Sequence, residues 1–185
     1  YVTFIGAGAV AVAGLITVVK TAPTMVKSLT AVFRGMRSRK DAAVGDDPRD
    51  RDVPAWVLFA GLAAIAAVLA IYPGAFGGGL NFEGRLMAAV GVMVFGFIFV
   101  PVSSRLVGVI GVSSNPTSAM ALITLVGTAG IFIATGHGGD AAKAAILTVG
   151  TVVCVAASKA GDISQDLNTG QIVGATPMLQ QFGQM

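Results

Sequence analysis

Residues 85–112 read RLMAAVGVMVFGFIFVPVSSRLVGVIGV, and this stretch decides the fold. Its charged residues are Arg85 at the start and Arg105 near the end. A bilayer is crossed by roughly 20 consecutive apolar residues in a helix, so the stretch is longer than one untilted crossing. Pro101, Ser103, Ser104 and Arg105 interrupt it. Polar groups at membrane depth must be satisfied by protein or water, so the run is expected to bend or to face a cavity. Gly91, Gly96, Gly108 and the alanines supply the small residues that let helix backbones approach closely in lipid.

The same pattern extends in both directions. Apolar spans are expected at 2–19, 55–72, 85–112, 117–135 and 141–158. Trp56 and Tyr72 bracket the second span as an aromatic belt would. Only 11% of the 185 residues are charged, against about 25% in a soluble domain, too few to cover a water-facing surface. The expected class is therefore all-α: a polytopic transmembrane helix bundle with a discontinuous or re-entrant helix near Asn115.

Charge is concentrated in one segment. Eight of the 12 Lys and Arg residues, and five of the nine acidic ones, fall between Lys20 and Asp52. By the positive-inside bias, loop 20–54 is cytoplasmic. Its first half carries Met25, Leu29, Val32, Phe33 and Met36 at helical spacing, as in a helix lying on the membrane surface. The net charge of +3 arises mainly there, and indicates topology rather than nucleic-acid binding. Counting crossings places residues 73–84 outside, Asn115 inside, 136–140 outside and Lys159 inside. A re-entrant hairpin at Asn115 would invert the last two. A chain that begins at Tyr1 within an apolar span reads as a fragment of a larger transporter, whose remaining helices would be its partners.

Two constellations carry candidate chemistry. The first is Arg105 with Ser114, Asn115, Pro116 and Ser118. Pro116 suits a helix start, and Ser114 or Asn115 can cap it. A helix N-terminus attracts anions, discontinuous transporter helices aim such ends at anionic substrate groups, and Arg105 adds a full positive charge. The other reading is a capped turn at the membrane edge with Arg105 reaching to the interface. The second constellation is Lys159, Asp162, Gln165 and Asp166. On a helix, Lys159, Asp162 and Asp166 share one face. Carboxylates so placed can carry protons, or they are the solvated end of an ordinary helix.

Cys154 and His137 have no partners in sequence for a metal site, and no nucleophile–base motif or phosphate loop is visible, so no cofactor, metal or enzyme activity is expected.

These two stretches also carry a family resemblance. SSNPTSAM at 113–120 is similar to the Asn-Pro-centred signature of the oligopeptide transporter superfamily. AGDISQDLNTGQIVGATPMLQQ at 160–181 resembles its second signature. Ala119, Asn168 and Met178 depart from the usual pattern. The resemblance implies a multi-pass protein of a bacterial inner membrane, related to the yellow-stripe-like carriers. It implies proton-coupled uptake of small peptides or peptide-like metal chelates, with Asn115, Pro116, Ser118, Asp162, Gln165 and Asp166 near the path. A carrier of another family for a small anionic solute, or a non-transporting membrane subunit, are the alternatives.

Overall fold

The computed structural model describes residues 53–110 and 116–184, with scattered residues between 5 and 34. The expected span at 2–19 and loop 20–54 thus lie largely outside the described residues, as do Ser114 and Asn115. The continuous part is helical: α1 (Ala55–Ile71), α2 (Phe82–Ile110), α3 (Thr117–Ala134), α4 (Asp140–Val173) and α5 (Pro177–Gln184). Of these, α2, α3 and α4 are long and apolar enough to cross a membrane, and α1 is a shorter apolar helix.

Helices α2 and α4 form the main contact of the bundle and run parallel, because Gly91 lies beside Val149 and Gly108 beside Ser164. α3 returns antiparallel to both, with Gly127 against Phe95 and Gly150 against Leu125. The interior is built from repeating small or slim positions. α4 contributes Ala142, Ala145, Val149, Val153 and Ala157, and α3 contributes Met120, Thr124, Thr128 and Phe132. These spacings of three and four keep one stripe of each helix inward. Ser103 on α2 donates across the interface to the Ala157 carbonyl. The outer faces stay apolar: Trp56, Phe59, Val68 and Ile71 on α1, Phe97 on α2 and Ile133 on α3 are exposed, as surfaces facing lipid are.

Pro101 lies inside α2. Proline lacks an N–H and so removes one rung of the helical ladder, yet the helix continues to Ile110. Ser103, two residues on, satisfies its hydroxyl outside its own helix.

One end of the bundle is closed by loop 72–81. Phe76 is fully buried in the core, and Gly77, Gly78 and Gly79 follow with φ of 79°, 75° and 78°. Three successive left-handed residues are open only to glycine at low cost, and they let the backbone lie against Ala141 and Ala144 of α4. Arg85 donates to the Ile71 carbonyl at 3.0 Å, completing the end of α1.

The helices do not end together. Counted from the Gly91–Thr128 neighbours at about 1.5 Å per residue, Thr117 stands level with about residue 102 of α2. α2 continues about 12 Å beyond that level. α4 has 34 residues and runs past Ser158 to Val173, an axial length of about 51 Å against a hydrocarbon core of about 30 Å.

Candidate functional site

The staggered end holds the described candidate residues. Pro116 precedes α3 directly, with φ −74° and ψ 50°, and its carbonyl accepts from Met120 N–H at 3.2 Å. Ser118 is exposed on the first turn. On α2, Arg105 is exposed. It sits two positions from both Ser103 and Val107, which are buried, so it projects from the opposite side of the helix. The structure therefore separates Arg105 from the α4 carboxylates rather than pairing them.

The α4 residues do share a face. Lys159, Asp162 and Asp166 are exposed, with Gln165 half-buried beside them. Lys159 Nζ stands 3.9 Å from Asp162 Oδ2, the outer limit of an ion pair. An exposed pair of this kind contributes at most about 1 kcal/mol. The same side of α4 carries Thr151 and Ser158 toward the bundle centre and Thr169 beyond Asp166, all exposed. Thr151 donates to the Leu147 carbonyl at 2.8 Å and Thr169 to the Gln165 carbonyl at 3.1 Å. One face of a membrane-length helix thus grades from apolar to ionisable.

The end of α4 is turned back by a Schellman motif. Ala175 N–H donates to the Gly170 carbonyl at 2.8 Å and Gly174 N–H to the Gln171 carbonyl at 3.4 Å. Gly174 has φ 79°, the left-handed cap this motif requires. Pro177 then opens α5, where its missing N–H is no loss. The short helix folds onto α4: Gln180 lies on Gly170, where any Cβ would collide with its amide, and Gln184 Nε2 donates to Asp166 Oδ2 at 2.7 Å. Gln181 Oε1 accepts the Val53 N–H at 2.9 Å, just before α1. Gln180, Gln181, Gln184 and Val53 were not among the expected site residues. The GATP sequence at 174–177 signals a helix stop and restart, but not what the restarted helix touches.

The second signature thus corresponds to a defined object, a long helix with an acidic face, a glycine cap and a short return helix. A family model described as OPT oligopeptide transporter protein matches residues 1–185. The chain belongs to the oligopeptide transporter family. Comparison with curated proteins and with solved structures gives no match. Membership makes this an integral membrane transporter chain rather than an enzyme, in agreement with its three membrane-length apolar helices.

Proposed function

We propose that this oligopeptide transporter chain forms one wall of a proton-coupled route for small peptides or peptide-like metal chelates. In this reading it resides in a bacterial inner membrane and is related to the yellow-stripe-like carriers. The observation that carries the reading is the ionisable face of α4. A charged side chain deep in lipid costs about 2.5–3.5 kcal/mol on insertion scales. A helix that continues unbroken from an apolar span into Lys159, Asp162 and Asp166 is best placed with that face toward water or protein. Asp162 and Asp166 then accept and release the coupling protons, Lys159 balances their charge, and Gln165 lines the route.

The substrate end of the reading rests on α3. Its first turn starts short of the ends of α2 and α4, so its free N–H groups open toward the staggered end of the bundle. Ser114, Asn115, Pro116 and Ser118 would hold a substrate carboxylate at that turn, with Arg105 supplying charge from α2. The remaining helices of the transporter complete the enclosure.

The test is uptake by the reconstituted transporter in proteoliposomes. Labelled tri- and tetrapeptides and a metal–chelate pair are offered with and without an inward proton gradient. Gradient-driven uptake of either class is expected, with a loss of at least tenfold in Asp162→Asn or Asp166→Asn. Wild-type uptake that ignores the gradient would remove the proton coupling. Full activity of both variants would remove the carboxylates from the route.

A further inference from the structure

α5 is amphipathic in an unusual sense, because the glutamines of its polar side are the ones that reach neighbouring elements. Gln180, Gln181 and Gln184 lie along one side of the helix, with Pro177. Leu179 and Phe182 lie opposite and are 71% and 47% exposed. Each glutamine on this side has a different target. Gln180 covers Gly170 of α4, Gln184 donates to the Asp166 carboxylate at 2.7 Å, and Gln181 accepts from the Val53 N–H at 2.9 Å. Val53 is buried, and a buried N–H without an acceptor is strongly disfavoured. It also lies where the charged segment 37–52 meets α1. The direction of α5 is fixed independently by the left-handed Gly174 and by Pro177.

We infer that Pro177–Gln184 is a clip that joins the far end of α4 to the entry of α1, with Gln181 as its anchor and Gln184 as a positioning residue for the Asp166 carboxylate. The clip fixes the point where the charged segment re-enters the bundle. It also orients a group that the proposed function places on the route, and only this second role rests on that proposal. The architecture explains why glycine occurs at 170 and 174. Gly170 leaves room for an amide, and Gly174 turns the chain so that the amide arrives there.

Thiol cross-linking in native membranes tests the clip without any transport measurement. In a Cys154→Ala background, Val53→Cys with Gln181→Cys is expected to be bridged efficiently by a short bis-thiosulfonate reagent. Val53→Cys with Leu179→Cys, on the outward side, is expected to be bridged at least fivefold less. Equal yields for the two pairs, or no bridge at 53–181 in protein that reaches the membrane, would overturn the clip.

A mutant cycle then tests the positioning role. Gln184→Leu is expected to lower gradient-driven uptake several-fold while Val53→Cys/Gln181→Cys bridging persists. In an Asp166→Asn background the same change is expected to have little further effect, since the two residues act as a pair. An equal loss from Gln184→Leu with either residue at 166 would overturn the positioning role. If Asp166→Asn itself leaves uptake intact, both the assigned function of Asp166 and the need to position it fall, while the cross-linking result for the clip stands.

Discussion

Two buried hydroxyls in the bundle make opposite predictions. Ser103 links α2 to the Ala157 carbonyl of α4, whereas the Thr128 hydroxyl, also buried, has no hydrogen-bond partner among the described residues. Ser103→Ala is expected to destabilise the bundle by about 0.6–1.7 kcal/mol, the range found for interhelical hydrogen bonds in membranes. Thr128→Val, which keeps the shape and removes an unpaired polar group, is expected to be neutral or slightly stabilising. Apparent melting temperatures of the two variants in detergent check the contrast. Gly174→Ala forces a Cβ into a left-handed position and is expected to cost about 1–2 kcal/mol, read as a lower melting temperature and a weaker Val53–Gln181 cross-link. At this scale the sequence was partly legible. Gly174 and Pro177 carry a recognisable stop-and-restart signal, because backbone geometry depends on residue type. The partners of Gln181 and Gln184 were not legible, because a glutamine at the surface and one bonded to a residue 128 positions away look alike in sequence.

Among the helices, packing is controlled by single glycines. A Cβ on Gly150 would come within 2.6 Å of Leu125 Cδ2. Leu125 Cγ would lie at 2.9 Å as well, so Gly150→Ala displaces the body of Leu125 and is expected to lower stability. Gly150→Leu overfills the α3–α4 contact and is expected to cost about 1–3 kcal/mol, with partial rescue by Leu125→Ala. Thermal stability of the single and double variants measures this. The apolar helices themselves were readable from hydropathy, since α2, α3 and α4 begin close to where their apolar runs begin. The end of α4 was not. The fall in hydropathy at Lys159 marks a change in surroundings, while the backbone continues to Val173 because residues such as Ala160, Gln165 and Leu167 remain good helix formers. The separation of Arg105 from the α4 acids was equally hidden, since it depends on which side of α2 meets α4.

For the molecule as a whole, the parallel α2 and α4 with α3 between their ends give two unlike faces. One end is sealed by Phe76 and its three left-handed glycines. The other is staggered, ionisable and tied by α5 to the start of α1. Carboxylates and a short helix start are grouped at that open end, which is why the decisive measurement is coupled uptake in the Asp162→Asn and Asp166→Asn variants, with loss expected in both. The overhang of α4 has a mechanical consequence. A helix about 51 Å long is a stiff rod. A tilt of about 10° around its midpoint would sweep its tip sideways by roughly 4 Å. Because α5 links that tip to Val53, such a tilt would be carried to the root of the charged segment, as by a lever between the membrane interior and the aqueous surface.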